Sequence, residues 1–164
     1  LGLRAPLTEL AVRADELAEI ALEPARAIVI ENEITYLSVP VPDDGVVIWG
    51  KGFDVDKVGR LPWLAGVDVT YWGDIDTHGF AILDRLRAWL PQTRSVLMNR
   101  RTLLAHRDRW VREERPTTAH LSRLHPEEAE LYADLVVDDL GERIRLEQER
   151  IDWSWAAAEL AIAR

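Results

Sequence analysis

Three acidic residues follow apolar runs of the sequence, in positions that suit a metal site. Glu31 comes directly after the run 27–30, and Asp74 and Asp76 follow the run 67–72. Short continuous apolar runs are typical of strands buried on both faces of a parallel sheet, whose carboxyl ends meet at one edge. Carboxylates gathered at such an edge repel one another. We therefore expect Glu31, Asp74 and Asp76 to share a divalent cation.

The residue types favour Mg²⁺ or Mn²⁺ over zinc at this site. Carboxylate oxygens are hard ligands, and the chain has no Cys that could supply a thiolate. An Asp-x-Asp pair also occurs often in turns and helix caps. That structural role is the alternative interpretation of Asp74 and Asp76.

Three further side chains are candidates near the same edge. Lys51 lies between two glycines after the apolar run 46–49, where it can contact a phosphate or act as an ordinary loop lysine. Glu33 is a candidate second metal ligand, and the alternative places it in the first turn of a helix. His78 is a candidate for activating a water or contacting a phosphate, against a local hydrogen bond at a helix start.

Short apolar runs alternate with helical spacing over the first hundred residues. Strands are predicted at 27–30, 46–49, 67–72 and 95–98, and helices at 6–22, 33–39, 54–64 and 79–90. Such alternation implies an α/β fold, with a mainly parallel sheet of about four strands flanked by helices. Beyond Asn99 we expect an Arg-rich stretch, an irregular segment over 116–124, a helix opening at Pro126 and a closing stretch over 142–160. Residues 1–24 are predicted to be a helical lead-in, and 25–164 the catalytic domain.

The bulk composition limits what the chain can bind alone. Its 164 residues carry a net charge of −9, with 48% hydrophobic and 30% charged residues, which is typical of a soluble globular domain. No apolar run approaches a membrane span, and the absence of Cys fits a reducing cytoplasm. The chain begins at Leu1 rather than Met, so we expect a longer protein.

A negative net charge disfavours a domain that grips DNA alone, because neutralising phosphates supplies most of the affinity. The domain therefore either binds no nucleic acid or is the catalytic part of a larger assembly. The one basic cluster is a candidate contact for DNA or a partner subunit, and a solvated helix face is its alternative; it comprises Arg100, Arg101, Arg107, Arg109 and Arg112.

Three motifs, in this order, resemble the TOPRIM domain (a Rossmann-like fold). The motifs read Ile-Val-Ile-Glu-Asn-Glu over 28–33, Trp-Gly-Lys-Gly-Phe over 49–53 and Gly-Asp-Ile-Asp-Thr-His-Gly-Phe over 73–80. They are most similar to the version in the A subunit of type IIB topoisomerases and the meiotic double-strand-break protein. There a strand ends in Glu, a second segment reads G-K-G and a third reads D-G-D-P-Y-G. Glu31, Lys51, Asp74 and Asp76 match those motifs, whereas Ile75, Thr77 and His78 replace Gly, Pro and Tyr, which indicates a divergent branch.

The segment Arg-Leu-Glu-Gln-Glu-Arg-Ile over 145–151 is similar to the end of the JetD family of bacterial Wadjet anti-plasmid systems. Members of that family carry a TOPRIM-like domain at the C-terminus. The resemblance implies Mg²⁺-dependent cleavage of double-stranded plasmid DNA within an SMC-like complex, with Glu31, Asp74 and Asp76 as ligands. A homodimer is left open, and weak activity is expected from the chain alone.

The attacking group is not evident in the sequence. Type IIB topoisomerases attack with a tyrosine from a separate domain, whereas Tyr36, Tyr71 and Tyr132 fall inside predicted elements and are expected to pack. Attack by water, giving a nuclease, is therefore favoured over strand transfer by a tyrosine outside the chain. From the predicted last helix, Glu147, Glu149 and Arg150 are expected to approach the acidic edge through an Arg–carboxylate bridge, or to form an i, i+3 surface pair.

Two other functions share parts of this pattern. A phosphatase of the haloacid-dehalogenase type also has Asp-x-Asp after a strand, but it needs Thr or Val where His78 stands. A domain without activity, which assembles with partners through its Arg-rich or Trp-rich surfaces, is the second alternative. The intact acidic residues argue against it.

Overall fold

Four parallel strands form the central sheet of the computed structural model, which describes residues 9–162. The strands are β1 (Arg26–Ile30), β2 (Gly45–Trp49), β3 (Asp68–Trp72) and β4 (Arg94–Ser95), in the order β2-β1-β3-β4. β1 lies between β2 and β3 and pairs with both, so that Ile30 is opposite Trp49 on one side and Trp72 on the other. The predicted α/β fold with about four parallel strands is confirmed.

Helices connect and cover these strands. They are α1 (Ala14–Glu19), α2 (Glu33–Ser38), α3 (Val55–Gly59), α4 (Thr77–Trp89), α5 (Arg100–Ala105), α6 (Pro126–Val136) and α7 (Trp153–Ile162). Four short 3-10 segments lie at Gly52–Asp54, Pro62–Leu64, Arg107–Arg109 and Gln148–Arg150. Among residues 9–162, no helix is long and apolar enough to cross a membrane.

The core lies between the sheet and the helices that cover it. Consecutive residues of a strand face opposite sides of a sheet, and the four residues from Ala27 to Ile30 are all buried, so β1 is covered on both faces. α4 contributes Phe80, Leu83 and Leu86, whose three-residue spacing puts them on one helix face. This packing fixes the carboxyl ends of β1 and β3 relative to the start of α4.

Several predicted boundaries were wrong for local reasons. The predicted helix 54–64 ends at Gly59 and continues only as a 3-10 turn, because Pro62 cannot extend a helix and holds Leu61 extended. β4 stops at Ser95 instead of reaching residue 98, and Leu97 has a left-handed φ of 64° that a strand cannot hold.

The first helix is also shorter than predicted. Only α1 is helical within the predicted helix 6–22, whose residues 6–8 lie outside the described part of the chain. Its Leu17 packs against the core, and the carbonyl of Leu17 accepts a 3.1 Å hydrogen bond from the Trp63 indole.

The segment that precedes α7 contains no α-helix, only two short strands' worth of pairing and the 3-10 turn Gln148–Arg150. β5 (Val111–Arg112) and β6 (Ile144–Arg145) form a two-stranded antiparallel ladder, and the chain then makes an antiparallel bridge from Leu146 to Ile75. This bridge brings residues 144–148 against the segment that follows β3. The expectation that Glu147, Glu149 and Arg150 approach from the last helix was therefore wrong, because all three precede α7 and two of them lie in the 3-10 turn Gln148–Arg150.

Candidate functional site

Glu31, Asp74 and Asp76 meet at the carboxyl edge of β1 and β3. The backbone amide of Glu31 donates to the carbonyl of Trp72 over 3.2 Å, which sets the two strand ends side by side. The Glu31 carboxylate accepts a hydrogen bond from the Tyr71 hydroxyl over 2.9 Å. Burial, with the neighbouring charge of Asp74, raises the pKa of Glu31 to about 7.

Asp76 begins α4 and is held by the helix that it caps. Its Oδ1 accepts a 2.7 Å hydrogen bond from the backbone amide of Gly79. Burial raises the pKa of Asp76 to about 6 despite that hydrogen bond. A side chain at position 79 would collide with the site, because a Cβ there would lie 2.1 Å from the carbonyl oxygen of Asp74.

Two residues of the distant segment 144–148 hold Asp74. Its Oδ1 accepts a 2.8 Å hydrogen bond from the backbone amide of Gln148, and its Oδ2 accepts a 2.6 Å hydrogen bond from Nη2 of Arg145. The Arg145 Nε also lies 3.2 Å from Oδ2 of Asp76. The expected Arg–carboxylate bridge therefore exists, but Arg145 makes it. Arg150 instead pairs with Glu147 over 2.7 Å, which is the i, i+3 alternative.

Gln148 connects both strand ends through its side chain. Its Nε2 donates to the carbonyl of Trp72 and its Oε1 accepts from the backbone amide of Asn32, each over 2.7 Å. Neither Gln148 nor Arg145 was predicted as a site residue from the sequence, although both lie in the segment 145–151 that carried the family resemblance.

A fourth carboxylate, Glu113, lies beside the start of α4. It is buried, and it accepts hydrogen bonds from the hydroxyl of Thr77, over 2.6 Å, and from the amide of Thr77, over 3.2 Å. The His78 Nε2 lies 3.9 Å from Glu113 and 2.6 Å from the carbonyl oxygen of Arg115. The contact of His78 with Arg115 spans 37 residues of the chain, so it is not the local hydrogen bond of the alternative interpretation. Glu113 was missed because no local motif surrounds it.

Lys51 lies in the loop beside Glu31, whereas Glu33 lies in the first turn of α2. Lys51 has a left-handed backbone and its Nζ lies 4.4 Å from the centre of the Trp49 ring, whose indole donates to the carbonyl of Glu31. The next residue, Gly52, is close enough that a Cβ there would lie 3.7 Å from Oε1 of Glu31. Glu33 is exposed in the first turn of α2, as its alternative interpretation proposed.

A family model described as Wadjet protein JetD, C-terminal, matches residues 2–160. The chain belongs to the JetD C-terminal family. No curated protein matches the chain. Membership of this family gives the chain a role in a Wadjet system, and it agrees with the resemblance found in the segment 145–151.

The acidic edge of this JetD-family domain carries more negative than positive charge. Four carboxylates lie there, from Glu31, Asp74, Asp76 and Glu113, and the guanidinium of Arg145 bridges two of them. Because the donors are oxygens and the charge is in surplus, the residues present fit a hard divalent cation. Yet no group of three or more acidic or histidine side chains within 9–162 is arranged as a metal cluster. Arg145 contacts both aspartates in this arrangement.

The basic cluster of the JetD-family domain is largely neutralised by its own acidic residues. Arg100 pairs with Asp134, Arg101 with Glu159, Arg109 with Asp152 and Arg112 with Glu142, whereas Arg107 stacks on the ring of Trp110. Paired guanidinium groups are less available to phosphates. Only Arg100 and Arg101 lie on an α-helix, so the five arginines do not form one helix face.

Proposed function

We propose that this chain is the part of a Wadjet complex that cleaves double-stranded DNA with Mg²⁺. The observation that carries the proposal is the approach of Glu31, Asp74 and Asp76 at one edge of the sheet, from strand ends that are adjacent in space and more than forty residues apart in the chain. Family membership supports a role in a multi-subunit Wadjet system. We propose a TOPRIM-type fold, which would be consistent with both the position of the acidic residues and the family membership.

Glu31, Asp74 and Asp76 are the residues that would hold the ion, with Mn²⁺ as an alternative to Mg²⁺. When bound, such an ion stabilises negative charge on a phosphate and orients the attacking and leaving oxygens. The protein supplies the positioning. Tyr71 holds Glu31, the first turn of α4 holds Asp76, and the backbone of Gln148 holds Asp74.

Lys51 is proposed to contact a phosphate next to the scissile one. Its ammonium lies over the Trp49 ring and makes no ion pair with any residue of the described range 9–162. The loop that carries it also runs beside Glu31, since a Cβ at Gly52 would lie 3.7 Å from Oε1 of Glu31.

Water is proposed as the attacking group, because each of the three tyrosines has another task. The Tyr71 hydroxyl is buried on Glu31, and the Tyr132 hydroxyl donates to the carbonyl of Ala119 over 2.7 Å. Tyr36 stacks on Trp49 with ring centres 6.3 Å apart. The duplex is proposed to be held by other subunits, since the net charge of −9 opposes DNA binding by this chain alone.

The test is a plasmid-nicking assay on the full-length protein with its Wadjet partners and Mg²⁺. Glu31→Gln and Asp74→Asn keep the side-chain shapes but remove charge, and each is expected to reduce cleavage by about 100-fold or more. Asp68→Asn is the matched control, because Asp68 is exposed at the opposite end of β3, where it pairs with Arg94. Cleavage by both site variants at the wild-type rate would refute the proposal. An assembled wild-type complex that never cleaves DNA would favour the alternative, a domain without activity that assembles with its partners.

A further inference from the structure

The two aspartates of the site share a pattern of occupied oxygens. In each, Oδ1 accepts a hydrogen bond from a backbone amide, that of Gln148 for Asp74 and that of Gly79 for Asp76. In each, Oδ2 faces the guanidinium of Arg145, at 2.6 Å from Nη2 and 3.2 Å from Nε. Of the four aspartate oxygens, Arg145 thus contacts the two that accept no backbone hydrogen bond.

We propose that Arg145 and a divalent cation compete for Oδ2 of Asp74 and Oδ2 of Asp76, so that Arg145 sets the cation concentration at which the site fills. This inference rests on the proposed function, since it takes the aspartates to be ligands. A guanidinium and a divalent cation repel each other at such distances, and both need the same oxygens. Binding the ion therefore requires the guanidinium to move away.

The backbone of Arg145 is fixed, which limits the movement to its side chain. Residue 145 lies in β6, paired with Val111, and the next residue bridges Ile75 through two backbone hydrogen bonds of 2.9 and 3.1 Å. A change at the arginine therefore does not require the segment to detach from the sheet.

The side chain of Arg145 has a route out and a second partner. It is 35% exposed, unlike the aspartates, and its Nη2 lies 3.6 Å from Oε1 of Glu147. Its Nε is shielded from solvent and makes no well-directed hydrogen bond within the described residues. The contact of Arg145 with Asp76 is therefore weaker than its contact with Asp74. Rotation towards Glu147 and solvent frees both aspartates without leaving the guanidinium unpaired.

Calorimetric titration of the purified protein with MnCl₂ at pH 8 tests the competition. Arg145→Gln is expected to bind Mn²⁺ about tenfold more tightly than wild type, because the competing charge is gone. Arg145→Lys keeps a positive charge and is expected to bind within about threefold of wild type. Arg112→Gln is the control, since Arg112 lies across the β5–β6 ladder from Ile144 and pairs with the exposed Glu142. A melting curve for each variant confirms folding, and the lysine variant keeps the comparison possible if the glutamine variant does not fold.

The outcomes separate this inference from the proposed function. Wild-type binding that is lost in Asp74→Asn but unchanged or weakened in Arg145→Gln overturns the competition and leaves the metal site standing. Binding that tightens equally in Arg145→Gln and Arg112→Gln also overturns it, because general charge reduction would then explain the effect. Absence of Mn²⁺ binding in every protein, including Arg145→Gln, overturns the proposed function itself.

Discussion

The hydroxyl of Tyr71 donates a 2.9 Å hydrogen bond to Oε2 of Glu31, within a site where both side chains come from neighbouring strands. Tyr71 is fully buried and lies one residue before the end of β3, so the strand pairing itself delivers the donor to the acid. This contact stabilises the ionised carboxylate, and it lowers the pKa of Glu31 against the larger effect of burial.

Tyr71→Phe should destabilise the protein more at pH 8 than at pH 5. Hydrogen bonds to a charged partner contribute more than those to a neutral one, and Glu31 is largely ionised only at the higher pH. We expect a loss of about 2 kcal/mol in the free energy of unfolding at pH 8 and less at pH 5, measured by urea denaturation in EDTA. Tyr132→Phe, which removes a hydroxyl bonded to a backbone carbonyl, should show no such pH difference. Equal losses at both pH values for Tyr71→Phe would contradict the role given to this contact.

In the absence of divalent cations, the ionisation of Glu31 should also make the free energy of unfolding depend on pH. Its pKa is raised from 4.5 to about 7, so the folded state binds this proton more tightly than the unfolded state. Stability from this group is therefore present at low pH and is lost as pH rises towards 7. Between pH 5.5 and 7 the loss is expected to be about 2 kcal/mol.

Glu31→Gln removes that titration and should reduce the slope of the stability profile over the same pH range, leaving the part that comes from Asp76, whose pKa is raised to about 6. Denaturant melts in EDTA at pH 5.5, 7 and 8 provide the measurement. Glu33→Gln is the matched control, because Glu33 is exposed in the first turn of α2. If Glu31→Gln keeps the wild-type slope, the carboxylate of Glu31 is not the group that burial perturbs.

The edge at which the acidic residues meet could be predicted from the sequence, because only the positions of the strand ends are needed. The apolar runs that end at Ile30 and Trp72 became β1 and β3, and parallel pairing then brings Glu31 towards Asp74. Local rules also explain the first turn of α4, since Asp76 is a cap residue three positions before Gly79.

The partners of these acidic residues could not be predicted in the same way. Arg145 and Gln148 are 71 and 74 residues away from Asp74 in the chain, and they arrive through a short strand and a single bridge to Ile75. A two-residue strand has no periodicity that a sequence pattern could reveal. The left-handed conformation of Leu97, just after β4, could not be predicted either, because leucine has no preference for that conformation.

Gly79→Ala is expected to disrupt the connection between β3 and α4. A Cβ at this position would lie 2.1 Å from the carbonyl oxygen of Asp74, and backbone atoms cannot yield as a flexible side chain does. We expect a loss of about 2–4 kcal/mol in the free energy of unfolding, measured by chemical denaturation. Gly66→Ala is the control, since a Cβ there meets nothing within 4 Å. Equal stability of the two variants would show that the Asp74 to Gly79 turn can relax.

Gln148→Glu should show how strongly the side-chain amide of Gln148 holds the two strand ends together. The variant side chain can still accept from the amide of Asn32, but its second oxygen would face the carbonyl oxygen of Trp72 without a proton to donate. Gln148 is 1% exposed, so water cannot replace the lost hydrogen bond, and the added charge lies beside Asp74. We expect a loss of about 3 kcal/mol at pH 7.

Gln92→Glu is the matched control for this change. Gln92 also donates from its amide to a carbonyl, that of Leu64, over 2.9 Å, but it is exposed and water can take over the contact. We expect the control to lose less than about 1 kcal/mol in the same urea titration. Because both substitutions add one charge and delete one donor, the difference between them isolates burial at the site. Equal losses in the two variants would mean that Gln148 does not join β1 to β3 in the way that its two hydrogen bonds indicate.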